Sequence, residues 1–428
     1  MTNDNSIPRD HTLEGGIGLL SEGYEFAMKR RQEFQSDIFQ TRMLGQKAIC
    51  IGGKEGAELF YNEELFQRGG AIPKRIQKSL FGEKGVQTLD GQAHAHRKKL
   101  FMSLMSPERL NEIAELVEQQ WEAAALKWQS TEQLVLFDEA QQVMCRAACQ
   151  WAGVPLQESD VKQVADDLGD MVESFGAVGM RHRRGRQARR RTEKWVSHLI
   201  EQIREGELEA PEQTAAHAMS WHRDTEANLL DTQTAAVELI NIIRPIVAIG
   251  RYVVFSAVAL HDYPEARHKL VQSLQTGDPT YSQWFVQEVR RFYPFTPILG
   301  AQVRKDFTWK DYSFEEGTMV LLDVYGTTHD EKLWQQADTF EPERFEHWSG
   351  SPFDLIPQGG GDHYRNHRCA GEWLTIDVMR VSLEFLTTRI TYEVPPQDLT
   401  IDLSRMPAIP ESRFVMSDVQ VQPKNAGS

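Results

Sequence analysis

A long apolar stretch of this chain is broken by an arginine with a proline directly behind it: Ala235-Ala-Val-Glu-Leu-Ile-Asn-Ile-Ile-Arg-Pro-Ile-Val-Ala-Ile-Gly250. A guanidinium in solvent stays charged at any usable pH, and burying one without a partner is very costly. Either the chain supplies Arg244 with a buried carboxylate, or the site receives one from outside. Glu238 lies six residues away, on a different helical face. Pro245 has no N–H and frees a carbonyl one turn back, which opens the helix at that point. With Glu238, Arg244, Pro245 and Arg251 inside it, the stretch around 233–261 reads as a buried core helix and not a membrane span. No stable membrane anchor is expected.

The 428 residues carry 40% hydrophobic side chains, enough for a sizeable core. No Pro/Gly/Ser linker divides them. The expected organisation is one domain over 11–420, with polar tails at 1–10 and 421–428. A net charge of −15 argues against a general nucleic-acid binder. One local exception runs from Arg181 to Arg191, with seven arginines in eleven residues. It fits a solvated helix face or loop, or a docking surface for anions. Four cysteines (Cys50, Cys145, Cys149 and Cys369) give no disulfide framework. Cys145 and Cys149 share one helical face and read as small buried apolar residues. The polar N-terminus has no signal-peptide core. A reducing cytoplasm fits best.

Most of the chain has helical periodicity. Ser106-Pro107 is an N-cap followed by proline at the first helical position, and Leu110, Ile113, Val117 and Trp121 then share a face. Further helices are predicted over 135–152, 157–175, 187–205, 231–260, 281–292 and 371–388. Strands are predicted at 47–51, 307–309, 318–325, 390–394 and 412–416. The fold class is mainly α with small sheets at the edge.

Chemistry concentrates in Ile356-Pro-Gln-Gly-Gly-Gly-Asp-His-Tyr-Arg-Asn-His-Arg-Cys-Ala-Gly-Glu-Trp373. Glycines at 359–361 allow a close, bent backbone. Cys369 sits at a helix entry, where free amides, the helix dipole, His367 and Arg368 favour a thiolate. Such a thiolate suits the axial position of a haem iron. A zinc or redox site from His363, His367 and Cys369 is the alternative, although no second ligand cluster completes it.

Upstream, Gln287-Glu-Val-Arg-Arg-Phe-Tyr-Pro294 holds Glu288 and Arg291 in an ExxR pattern, and Phe340-Glu-Pro-Glu-Arg-Phe345 follows. This order of ExxR helix, PERF segment and cysteine loop resembles the cytochrome P-450 superfamily. Leu80-Phe-Gly82, Asp90-Gly-Gln-Ala-His-Ala-His-Arg-Lys98, Gly176-Ala-Val-Gly179, Arg244-Pro245, Gly326-Thr-Thr-His-Asp330 and Pro357-Gln-Gly-Gly-Gly-Asp-His-Tyr364 look like its bacterial fatty-acid peroxygenase branch. The likeness spans residues 10–420. It implies a triangular helical prism holding haem b (iron protoporphyrin IX), with Cys369 as axial iron ligand. Glu288, Arg291 and Arg344 would interlock to brace the haem face. His94, Arg97, Lys98 and His367 would meet the cofactor. One departure is Asn366, where the branch pattern has glycine; asparagine tolerates left-handed backbone angles.

The same resemblance assigns the distal side. Most of the superfamily carries an acid–alcohol pair in the long central helix; here Arg244-Pro245 stands instead. The carboxylate of a long-chain fatty acid would pair with Arg244 and shuttle the proton of hydrogen peroxide, with no redox partner. Pro245 and Gln87 complete the catalytic set, and Phe81, Phe175, Phe292 and Phe295 line the acyl channel. Hydroxylation would fall on the α or β carbon. Gln87 cannot titrate as a histidine would, so decarboxylation to a terminal alkene is a side path. A reductase-coupled monooxygenase and a haem-binding fatty-acid sensor are the competing functions.

Overall fold

The structure is a computed structural model that describes residues 7–11, 14–43 and 45–423. Residues 1–6 and 424–428 of the expected tails lie outside it. Next to them, Arg9 bridges to Gln40, and Gln422 donates its N–H to the Arg389 carbonyl. Helices hold about 53% of the chain, far above the usual third.

The largest apolar core surrounds the central helix Thr232–Ala248, buried from Thr234 to Arg244. The helix stops one turn after Pro245, and Gly250–Asp262 continues beyond Ile249. Together they are long and apolar enough to cross a membrane, but 89% of the apolar window is buried inside the protein. Around them pack Pro107–Trp128, Leu136–Ala152, Val161–Glu173 and Gly179–Glu205 on one side. Thr280–Phe292 and Glu372–Glu384 close the other. Ser106 caps the first of these as expected, accepting from the Arg109 N–H. Cys145 and Cys149 are both buried and free.

The Gly179–Glu205 helix begins well before the predicted start at 187. Gly185 marks a close helix crossing. A Cβ there would lie 2.4 Å from the Ser174 Cβ and 2.6 Å from the Asp170 carbonyl. The arginine run is therefore helical and largely engaged. Arg181 donates to the Met406 carbonyl, Arg189 to Glu193 and Leu80, and Arg191 to Asp167. Arg183 and Arg190 remain exposed.

The predicted strands at 47–51 and 318–325 are neighbours in one five-stranded sheet. Its order in space is Ile38–Met43, Gln46–Ile51, Met319–Asp323, Ile298–Val303, Phe66–Gln67. Only the Gln46–Ile51 and Met319–Asp323 pairing is parallel, with Ala48 opposite Met319. The last predicted strand lies later than expected, at Val415–Val421, and pairs with Gln133–Val135 and Ile390–Glu393.

Candidate active site

The cysteine loop bends where its glycines permit. Gly359 and Gly361 have φ of 89° and 81°, angles that glycine adopts without strain. A Cβ on Gly360 would come within 2.6 Å of the Pro352 carbonyl. Asn366 does not take the left-handed angle that its place in the loop suggested. Its side chain closes the loop instead: Oδ1 accepts from the Asp362 N–H at 2.8 Å, and Nδ2 donates to Glu63 at 2.8 Å. The loop delivers Cys369 three residues ahead of the Glu372–Glu384 helix. The Cys369 N–H donates to the Gln358 carbonyl at 3.0 Å, and Gln358 Nε2 lies 3.8 Å from Sγ.

Burial pushes the Cys369 thiol up, and Lys98 is the main opposing influence, joined by the Gly371 amide. The cation at the sulfur is therefore Lys98, not His367 or Arg368 as the sequence suggested. Arg368 is spent on Glu372 and the Gly361 carbonyl. Burial holds His367 neutral, its pKa lowered to about 2. Beneath the loop, Glu372 accepts from Arg290, Arg368 and His363. Despite burial, those partners keep its carboxyl well below the usual range.

A second ionic knot lies at the ExxR helix. Arg291 meets Glu288 in a two-pronged pair at 2.7 Å on each prong, and Arg344 Nε reaches the same carboxylate at 3.1 Å. Arg291 also donates to the carbonyls of Thr328, Ala337 and Thr339.

Arg244 contrasts with both. It is 5% exposed, and among the described residues no carboxylate pairs with it. Its Nε is buried with no partner, and Nη2 has only a long 3.4 Å contact to Asn241 Oδ1. Burial first and then Arg189 bring its pKa down to about 9, against the opposing influence of Cys369. Glu238, the possible internal partner, is taken by Arg97. Phe81 stands at the end of the π-helical turn Gln77–Phe81, with Arg244 Cζ 5.5 Å from its ring centre. Gln87 Oε1 accepts from Asn241 Nδ2 at 3.3 Å. Asn241 thus links Gln87 to Arg244.

The chain was compared with known proteins. A family model for Cytochrome P450 matches residues 265–415. Cytochrome P450EX alpha (CYP152N1), solved with myristic acid, is 43% identical, with a TM-score of 0.93, over 97% of this chain and 99% of its own. Cytochrome P450SP alpha (CYP152B1), solved with (R)-ibuprophen, is 43% identical, TM-score 0.93, over 96% and 100%. This chain is a cytochrome P450 of the CYP152 family. Another relative, cytochrome P450 OleT in complex with arachidonic acid, is 39% identical to this P450, TM-score 0.94, over 98% and 100%. A more distant one is protopanaxadiol 6-hydroxylase of Panax ginseng, 22% identical over 397 residues, 86% of this P450 and 82% of its own length.

The P450 fold carries haem, and the residues here fit it. Cys369 is a free, half-buried sulfur with a cation beside it. His363 stacks on Trp373 while His367 stacks on His94 at 3.7 Å, so the zinc set does not converge. The one group of three or more metal-competent side chains among the described residues, Glu63, His94 and His367, excludes Cys369. A small recess of about 10 Å³ beside them is lined by Tyr61, Arg68, Asp90 and His367. Tyr61 and Arg68 would offer donors there to the anionic edge of a porphyrin.

The remaining candidates separate in space. Lys98 donates to the Arg368 carbonyl next to Cys369. Arg97 faces Glu238 in the central helix of this P450. Phe175 packs beside Tyr24 and Met406, and the Phe295 ring stacks on Tyr252 at 4.2 Å. Phe292 touches the rings of Phe340, Tyr263 and His329. Sequence reasoning missed Asn241 and Gln358. Asn241 had a signal, a lone amide one turn before Arg244 in an apolar run; Gln358 had none beyond its place before the glycines.

Proposed function

We propose that this P450 is a fatty-acid peroxygenase. It would use hydrogen peroxide to hydroxylate long-chain acids at the α or β carbon, converting R–H and H₂O₂ to R–OH and water. The observation that carries this reading is Arg244: a buried guanidinium that no described carboxylate neutralises. The two relatives solved with myristic and arachidonic acid support an acyl carboxylate as the missing partner.

Haem b, held by Cys369, supplies the oxidising chemistry when bound. The polypeptide does the rest. Lys98 and the Gly371 amide stabilise the thiolate. Arg244 grips the acid through a forked pair, and this fixes which carbons can approach the reaction centre. The second carboxylate oxygen then takes a proton from peroxide and returns it to the departing oxygen. Positioned acid–base help of this kind is worth on the order of 100- to 10,000-fold. Pro245 and Ile246 follow Arg244 in the central helix, where an acid–alcohol relay would stand. Gln87, held by Asn241, presents a neutral amide. That supports hydroxylation over loss of carbon dioxide. Peroxide turnover needs no reductase partner.

The deciding experiment mixes purified holoenzyme with myristic acid and hydrogen peroxide, without NAD(P)H, and profiles products by mass spectrometry. Hydroxymyristates bearing oxygen at carbon 2 or 3 are expected. Turnover only with NAD(P)H and a reductase would assign the protein to the reductase-coupled monooxygenases. Binding without turnover in either system would make it a sensor.

A further inference from the structure

Arg244 is not the only buried cation left short of partners beside the central helix. Arg189, on the Gly179–Glu205 helix, is 1% exposed. Its Nε pairs with Glu193, one turn on, and Nη1 donates to the Leu80 carbonyl at 3.0 Å. Its Nη2 is buried with no partner. Gly82, with φ of 80°, ends the turn that carries Phe81, and it fits only because it lacks a side chain. A Cβ there would sit 2.2 Å from Arg189 Nη2 and 2.6 Å from Val237 Cγ1 of the central helix. Leu80 to Gly82 are thus held between two helices by one guanidinium, and the residue they present, Phe81, faces Arg244 at 5.5 Å. Arg189 is also the one cation close enough to disfavour the charge on Arg244.

We infer that Arg189 is a positioning residue for the carboxylate site: it fixes the Leu80–Gly82 turn so that Phe81 covers Arg244, and it adds a second positive charge that an incoming acid relieves. Two like charges in a poorly solvated site repel each other, and a bound carboxylate attracts both. Arg189 is held partly in check by Glu193 and, at longer range, Glu238. Its contribution is therefore smaller than that of Arg244. The inference deepens the carboxylate-anchor reading and rests on it.

The test titrates holoenzyme variants with myristic acid and with myristyl alcohol, the same chain without the charge, by calorimetry. Arg189→Met keeps the stem and removes the donors. Losing a charge-assisted hydrogen bond and the second cation should raise the myristate dissociation constant about tenfold or more. The alcohol constant should stay within about twofold. Arg189→Lys, which keeps the charge but cannot hold Glu193 and Leu80 at once, should fall between and covers the case in which the methionine variant fails to fold. Unchanged myristate binding in whichever variant folds, or equal weakening for acid and alcohol, overturns the inference. Arg244→Ala separates the two ideas. If it binds myristate normally, the anchor itself is wrong. If it loses myristate while the Arg189 variants do not, only the role of Arg189 is lost.

Discussion

Buried charges on the two sides of this molecule are treated in opposite ways. Beneath the cysteine loop and the ExxR helix, Glu372 accepts from two arginines and His363, and Glu288 from two arginines. Arg291 fills its remaining donors with three backbone carbonyls. Beside the central helix, Arg244 and Arg189 keep buried nitrogens with no partner. A saturated network is rigid, because any movement leaves a charge uncompensated. An unsaturated one stores an attraction for a ligand. The comparison teaches that burial of a charge carries no meaning until its partners are counted.

Breaking the saturated side should do the greatest damage. Glu288→Ala strands Arg291 and Arg344 in the interior, and removing one partner of a buried pair costs about 3–5 kcal/mol. Urea unfolding should show the loss, with haem released at lower denaturant. Retention of parental stability would mean that the knot is ornamental. The opposite sign is expected for Arg244→Met. It removes a buried cation that no described acid neutralises, so stability should hold or rise by about 1 kcal/mol. Peroxide-driven oxidation of myristic acid should drop at least about 100-fold. A destabilised Arg244→Met protein would show that a partner for this cation exists within the fold.

Much of this contrast was legible in the sequence, and the limits were physical. Helical periodicity and the Ser106 cap marked the α-rich body. A lone arginine and proline in an apolar run stood out because such a residue is costly without a role. The early start of the Gly179–Glu205 helix was hidden, since a glycine at a helix crossing and a glycine that ends a helix look the same until the neighbouring helix is in view. The sheet joining Gln46–Ile51 to Met319–Asp323 needed contacts across most of the chain. The cation at Cys369 was misassigned because nearness in sequence favoured His367 and Arg368, whereas Lys98 arrives from another helix.

The middle of the contrast is sharpened by Asn241, which touches both kinds of charge. It donates to Glu238 and Gln87, each at 3.3 Å, and accepts from Arg244 at 3.4 Å. These bonds are long, so Asn241→Ala should cost less than losing Arg244. A fall in kcat/KM of about tenfold with myristate, with an unchanged haem spectrum, is expected. An effect as large as that of Arg244→Met would move the proton-handling role toward the amide.

The smallest expected effect is one of pH. Burial disfavours the charged form of Arg244 and lowers its pKa to about 9, while a fatty carboxylate with an ordinary pKa is ionised above about pH 5. Both partners are therefore charged across the neutral range, and myristate affinity should be flat between about pH 6 and 8. As pH rises through about 9, free Arg244 begins to lose its proton and affinity should fall, about tenfold for each further unit. The sign follows from the burial: a solvated arginine with a pKa above 12 would keep affinity flat throughout. Titrating the holoenzyme with myristate from pH 6 to 10, with myristyl alcohol as the uncharged control, reads this directly. A flat profile to pH 10 would mean that Arg244 is better solvated than its surroundings imply, and the two sides of the molecule would then differ less than their hydrogen bonds suggest.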